Sequence, residues 1–200
     1  MIDLAAVVGR VRGVLFQPEQ TLADHSRPVP PWRIVAREHT VPVIVASALI
    51  STALLLLFHP ILLGPDVEIQ VGLGLLLRLA VRIAFNFASI AVMAAVVSFF
   101  GGLLGGRANF DAAYVLAALS MTPAYVGGAV FPIPLLGQLA GLAGVIYSLV
   151  ILYRCAPALV GVPEENRGKH MVLTVVSLFV IGAVALWMLS PLLAPATAAG

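Results

Sequence analysis

Long apolar runs separated by short polar segments make up most of this chain after residue 40. A helix that crosses ~30 Å of hydrocarbon needs about 20 apolar residues, because each residue advances the helix by ~1.5 Å. Five runs meet or nearly meet that length, so the pattern predicts an all-α integral membrane protein with five transmembrane helices. The predicted spans are residues 41–63, 83–104, 112–131, 135–153 and 171–193, followed by a short tail, residues 194–200.

The third and fourth predicted spans are separated only by the Pro-Ile-Pro sequence at residues 132–134. This segment is too short for a soluble loop, and proline ends one helix and fits the start of the next. The sequence therefore predicts a tight, proline-rich helical hairpin between spans 3 and 4.

Two patterns precede the first span. Apolar residues recur at helical spacing and form one stripe, made of Leu4, Val7, Val8, Val11, Val14 and Leu15. The stripe favours an amphipathic helix on the cytoplasmic membrane surface, and a frayed tail with chance periodicity is the alternative. Residues 17–40 are polar and rich in proline, which is typical of a linker. Residues 1–40 are thus interpreted as a cytoplasmic segment, and residues 41–193 as the membrane domain.

Composition agrees with this fold class. Hydrophobic residues make up 61% of the chain and charged residues 10%, and the mean hydropathy of +1.07 lies outside the range of soluble proteins. The lone Cys155 excludes an internal disulfide, and four scattered histidines lack metal-ligand spacing. We therefore expect no metal and no cofactor. A net charge of +2 from dispersed basic residues argues against a nucleic-acid partner.

The distribution of positive charge predicts the orientation. With the N-terminus inside, segments 1–40, 105–111 and 154–170 contain five, one and three basic residues, and the outer side contains only Arg78 and Arg82. Cytoplasmic loops carry the excess of lysine and arginine, so the N-terminus is predicted to be cytoplasmic and the C-terminus outside. No signal peptide is evident, so the first span is expected to direct its own insertion.

Polar side chains near the outer end of the second span form the sharpest candidate site. Arg78, Arg82 and Asn86 are spaced by four residues and share one helix face, with Tyr125 of the third span at comparable depth. Polar residues within a membrane face protein or water more often than lipid. One interpretation is an outer-leaflet pocket in which the arginines bind an anion such as a lipid phosphate.

The alternative is a structural role for both arginines. Their side chains could extend to outer headgroups, or pair with Asp66 and Glu68 in the preceding loop. Both interpretations remain open at the level of sequence.

Prolines and small residues mark predicted helix packing. Pro123 removes a backbone hydrogen bond within the third span, and Thr122 can bond the freed carbonyl group, so a bent helix is expected there. Small residues on both arms of the hairpin allow close approach of the helices. The residues assigned to this packing are Gly101, Gly102, Thr122, Pro123, Gly127, Gly128, Pro132, Pro134, Gly137, Gly141 and Tyr147.

Three stretches carry a familiar pattern: SFFGGLLGGRANFDAAYVLAALSMTPAYVGG, FPIPLLG and GVIYSLVILYRCAPALVGVPEENRGKH. They resemble the Yip family, the Ypt/Rab-interacting five-span membrane proteins, in its bacterial branch. The matching positions are Phe100, Gly101, Gly102, Thr122, Pro123, Ala124, Tyr125, Pro132, Pro134, Tyr147, Ser148, Tyr153 and Pro163. The chain departs from the family pattern at Asn166, Arg167 and His170, and it has no Asp-Leu-Tyr-Gly-Pro motif, so Rab binding is not carried over.

The resemblance implies a non-enzymatic membrane adaptor or organiser in a bacterial inner membrane. Its expected partners are membrane lipids and a protein that binds residues 1–40, and glycine-rich faces permit a homo-oligomer. The alternative function is a small transporter, a channel or a lipid-handling protein that uses the outer polar cluster. An enzyme is disfavoured, because no span contains a catalytic carboxylate, a metal-ligand set or an activated nucleophile.

Overall fold

The computed structural model describes residues 3–26, 28–63 and 72–193, and all regular structure in these ranges is helical. The helices are α1 (Leu4–Phe16), α2 (Pro18–Asp24), α3 (Trp32–Val35), α4 (Val41–Leu63), α5 (Leu73–Leu103), α6 (Phe110–Ser120), α7 (Thr122–Ala129), α8 (Leu136–Val160) and α9 (Arg167–Leu193).

Five stretches within these ranges are long and apolar enough to cross a membrane, which confirms the predicted fold class. They are Trp32–Phe58, Leu73–Leu103, Phe110–Ala129, Leu136–Val160 and Glu164–Ala185. Residues 194–200, predicted as a tail, lie outside the described residues. We name the end of the bundle at which α8 stops and α9 starts the lower end, and the opposite end the upper end.

The first of these helices begins well before the predicted span. α3 continues through a π-helical segment, Ala36–Thr40, directly into α4. Along this continuous helix, from α3 into α4, pairs of buried residues recur every four positions, which is the spacing of one helix face. The buried residues are Val35, Ala36, His39, Thr40, Val43, Ile44, Ser47, Ala48 and Ser51. Residues 32–40 are therefore helix rather than the predicted linker.

The remainder of the predicted linker also contains helix, because α2 follows α1 after a single residue. Val14 of α1 and Leu22 of α2 are completely buried. The Tyr147 hydroxyl group of α8 donates to the Leu15 carbonyl oxygen at 3.0 Å. The predicted amphipathic helix forms, and its buried side packs against other helices of the bundle.

α6 occupies the centre of the core, and every residue from Ala112 to Ser120 is buried. It packs against α5 and α8, and α2 and α3 cover its remaining sides. The Asn109 side chain caps its N-terminus by accepting from the Ala112 backbone N–H at 3.2 Å. The Asp111 carboxylate accepts from the Trp32 backbone N–H at 2.9 Å, which joins the starts of α6 and α3.

The third candidate transmembrane helix is interrupted at Met121, between α6 and α7. Pro123 lies in the first turn of α7, where its missing N–H costs no helical hydrogen bond. The Ala124 N–H in the same turn donates to the Ser148 hydroxyl group of α8 at 3.1 Å. A side chain from the neighbouring helix therefore caps α7.

α7 and α8 form the predicted hairpin and approach each other at backbone distance. At Gly127, Gly137 and Gly144, an added Cβ would overlap a backbone carbonyl oxygen of the opposite arm or the turn. Gly128 was expected to permit close packing too, yet a Cβ there would meet none of the described atoms within 4 Å.

Candidate functional site

Three of the four residues predicted to form a binding site lie together, where α4, α5 and α7 meet. Arg82 donates from Nη1 to the Ser51 hydroxyl group at 3.2 Å. The Asn86 side-chain amide donates to the Arg82 carbonyl oxygen at 2.8 Å, and the Tyr125 hydroxyl group donates to the Asn86 carbonyl oxygen at 3.5 Å. We call Ser51, Arg82, Asn86 and Tyr125 the polar cluster.

Arg78 does not join this cluster. Its side chain is exposed, and among the described residues it has no hydrogen-bond or ion-pair partner. Asp66 and Glu68, the predicted partners of the arginines, lie outside the described residues. Arg82 is also exposed, and among the described residues it uses one of its five N–H donors, on Ser51, so its guanidinium group can still bind an anion.

A buried histidine in the predicted linker connects the π-helical segment after α3 to α7. His39 is 1% exposed, and its Nε2 lies 2.9 Å from the Thr122 hydroxyl oxygen. The Thr122 hydroxyl oxygen also lies 3.3 Å from the Ala118 carbonyl oxygen one turn earlier in the chain. His39 Nδ1 has no hydrogen-bond partner among the described residues. The four-residue spacing from Val35 to His39 to Val43 was the signal that could have located it.

A cavity of about 140 Å³ with a mixed polar and apolar lining adjoins His39. Arg10 of α1 reaches into this region, where it donates to the Glu38 carbonyl oxygen at 3.1 Å and pairs with the Glu38 carboxylate at 3.5 Å. The polar part of a space of this size can hold ordered water. It lies between α1, the first long helix and α6, so it belongs to the junction that holds α1 in place.

A larger and almost wholly apolar groove of about 380 Å³ lies between α1, α4 and α7. Val8 and Val11 line it from α1, Ala46 and Ile50 from α4, and Tyr125 from α7. Ligand pockets in proteins commonly fall in this size range. Its lining suits an acyl chain and lacks the convergent polar groups that catalysis requires.

A third depression, of about 460 Å³, lies at the corner between α1 and α2 and has a mixed lining. Phe16 and Gln20 contribute from the N-terminal segment, and Tyr147 and Arg154 from α8. Glu19 pairs with Arg154 across it at 3.2 Å. We call this depression the corner surface.

The residues assigned to packing are placed as follows. Beside Gly101 and Gly102, an added Cβ would meet the Arg107 carbonyl oxygen at 3.4 Å and the Ala108 Cβ at 2.9 Å, respectively. Gly141 lies against the Phe131 ring, at 3.0 Å from an added Cβ. Pro132 and Pro134 both belong to the hairpin turn, and Pro132 is the more buried of the two.

The positions that depart from the family pattern connect α9 to α5. The Asn166 side chain donates to the Leu104 carbonyl oxygen at 3.1 Å, and His170 Nε2 bonds the Val97 carbonyl oxygen at 3.2 Å. Arg167 lies over the Tyr153 ring at 5.2 Å. The three residues that depart from the family pattern therefore contact neighbouring helices at the lower end.

Within the described ranges, no three histidine, cysteine or acidic side chains come together to form a metal site.

Five long apolar helices with extensively exposed apolar side chains define a multi-pass helical membrane protein. A family model for the Yip1 domain matches residues 12–189, so the chain belongs to the Yip1 domain family, as its sequence resemblance predicted. Searches among curated proteins and among solved structures found no match.

Proposed function

We propose that this protein is a non-enzymatic membrane adaptor or organiser in a bacterial inner membrane, with its N-terminus and the lower end of the bundle in the cytoplasm. Membership of the Yip1 domain family and the five candidate transmembrane helices support a role within the membrane. Nine of the eleven basic residues fall on the side proposed as cytoplasmic, which supports the orientation.

The corner surface is the observation that carries the adaptor role. It combines Phe16, which is 77% exposed, with the ion pair between Glu19 and Arg154. Aromatic and arginine side chains are enriched where proteins bind each other. Burial of Val14 and Leu22 fixes α1 and α2 against the bundle, so this surface is presented in one geometry. We infer that a protein partner binds here.

Photocrosslinking in native membranes tests this function. A photoreactive residue at Gln20, inside the corner surface, should give a discrete protein product, whereas one at Phe179 on the apolar side of α9 should give none. Phe16→Ser should abolish the product from Gln20, and Val8→Ser, a change at another largely exposed position of α1 outside the corner surface, should retain it. A product that survives Phe16→Ser, or no product at all, would contradict the adaptor role.

Among the alternatives of transport, channel and lipid handling, lipid handling has a specific observation in its favour. Tyr125 belongs both to the polar cluster and to the lining of the apolar groove, so an anionic group and an acyl chain could be bound side by side. Native mass spectrometry of gently extracted protein tests it. An Arg78→Gln, Arg82→Gln variant should lose a bound phospholipid that an Arg33→Gln, Arg37→Gln control retains. Equal lipid content in both variants would exclude this function for the cluster.

A further inference from the structure

We propose that the apolar groove between α1, α4 and α7 holds an acyl chain of an anionic phospholipid from the cytoplasmic leaflet, and that Arg12 of α1 binds the phosphate group of that lipid. The headgroup contact differs from the one considered at the polar cluster, and Tyr125 is the member of that cluster that also lines the groove. The inference rests on the proposed orientation, which places the N-terminus and α1 at the cytoplasmic side.

The walls of the groove suit hydrocarbon. Among the described residues that line it, only Ser47 and Tyr125 carry a polar side-chain group. The Ser47 hydroxyl group donates to the Tyr125 carbonyl oxygen at 2.7 Å, and the Tyr125 hydroxyl group donates to the Asn86 carbonyl oxygen at 3.5 Å. Both hydroxyl protons are therefore used within the protein. The groove thus favours an apolar ligand over water.

The rim of the groove is continuous with the lipid-facing surface of the bundle. Leu4 and Val8 line it from α1 and are 71% and 66% exposed. Ile50 of α4 and Val126 of α7 also line it, and both are exposed apolar residues of candidate transmembrane helices. An acyl chain can therefore enter the groove sideways from the bilayer without passing through water.

Arg12 supplies a positive charge at the edge of the groove. It lies four residues after Val8, so the two residues share one helix face. A helical side chain leans toward the N-terminus of its helix, which brings the Arg12 side chain toward Val8 at the rim. Arg12 is exposed and makes no hydrogen bond or ion pair with any described residue. Its guanidinium group is therefore available to bind a phosphate group with two parallel hydrogen bonds.

The position of α1 is fixed by contacts away from the groove. Arg10 faces the bundle, where it donates to the Glu38 carbonyl oxygen at 3.1 Å. The Leu15 carbonyl oxygen accepts from the Tyr147 hydroxyl group at 3.0 Å, and Val14 is completely buried. Arg12 and the groove therefore keep a constant relation to each other, which reduces the entropic cost of binding a lipid across both.

Native mass spectrometry with added phosphatidylglycerol tests the acyl-chain site. Ala46 of α4 is exposed and lines the groove, so Ala46→Phe fills it from one side, and Val126→Phe fills it from α7. Both variants should lose a lipid that the wild type binds. Leu49→Phe is a matched control, because Leu49 is an exposed residue of α4 outside the groove lining, and it should retain the lipid. Gel-filtration profiles that match the wild type establish that the variants are folded.

The headgroup contact is tested in the same experiment. Arg12→Gln should weaken phosphatidylglycerol binding by about tenfold, the loss expected for one charge-assisted hydrogen bond. It should also remove the preference for phosphatidylglycerol over phosphatidylcholine, whose choline cation offsets the phosphate charge. Arg33→Gln, a change at an exposed arginine of α3, should leave both affinities unchanged.

Three outcomes would overturn the inference. Lipid retained by both groove-filling variants would mean that no acyl chain lies in the groove. A wild-type affinity in Arg12→Gln, combined with a loss in Arg78→Gln, Arg82→Gln, would assign the lipid to the polar cluster. A dimer that dissociates in Ala46→Phe would assign the groove to a second copy of the chain. The adaptor role is tested separately, because the crosslinked product from Gln20 should persist in Ala46→Phe.

Discussion

Two adjacent glycines of α7 differ sharply in their surroundings. Gly127 faces the backbone of α8, whereas Gly128 faces open space among the described residues. Gly127→Ala should lower stability by ~1–3 kcal/mol through overpacking. Gly128→Ala should be neutral or stabilising by up to ~1 kcal/mol, because alanine favours helix. Unfolding midpoints of both variants in one detergent check this, and equal shifts would argue against backbone contact in the hairpin.

A single hydroxyl group caps α7 from the neighbouring helix. Ser148→Ala should cost ~1–3 kcal/mol, because the Ala124 N–H loses its partner in a partly buried setting. Ser89→Ala is a matched control, since the Ser89 hydroxyl group only bonds the Phe85 carbonyl oxygen of its own helix. In denaturant titrations, Ser148→Ala should therefore unfold at a lower denaturant concentration than Ser89→Ala. Similar losses would mean that the Ser148 contact contributes nothing specific.

The burial of His39 was not predicted from the sequence. A histidine among prolines and charges looks solvated in sequence, and its bond to Thr122 leaves no local motif. Only the four-residue spacing of Val35, His39 and Val43 indicates that it is buried. The polar cluster was more accessible to prediction, because spacing by four places Arg82 and Asn86 on one face whatever surrounds them. Ser51 was missed, since nothing in the sequence indicates which face of α4 meets α5.

At the scale of elements, hydropathy was sufficient to predict the existence of five long helices but not the start of the first. Arg33 and Arg37 lie on its exposed face, and Val35, Ala36 and His39 lie on its buried face. The mean hydropathy of these residues together is that of a polar stretch, so the helical period of the buried positions is not visible in it. The hairpin was predictable, because two prolines so close together leave few other connections between two apolar runs.

The docking of α1 gives a prediction about an element. Val14 is completely buried and Val8 is 66% exposed, although both belong to the same apolar stripe. Val14→Ala should loosen α1 and speed cleavage by trypsin at Arg10 and Arg12, because proteases act on locally opened segments. Val8→Ala should leave the cleavage rate unchanged. Equal cleavage rates in both variants would mean that α1 is not held by Val14.

At the scale of the whole molecule, composition and the pattern of apolar runs were sufficient to predict the class of protein. The arrangement of the helices required the structure, because apolar runs of adequate length look alike in sequence. Only the contacts show that α6 lies at the centre of the core, with every residue from Ala112 to Ser120 buried. The match to the Yip1 domain model covers nearly the whole chain and agrees with one membrane unit.

The central claim is that α1 and α2 form a built surface on the cytoplasmic side of a membrane-embedded bundle. Side-specific labelling of Gln20→Cys in a Cys155→Ala background tests it most directly. We predict labelling by an impermeant maleimide in inverted membrane vesicles and none in intact spheroplasts. Labelling in spheroplasts would place the N-terminal segment outside the cell and contradict the proposed orientation, together with the adaptor role that depends on it.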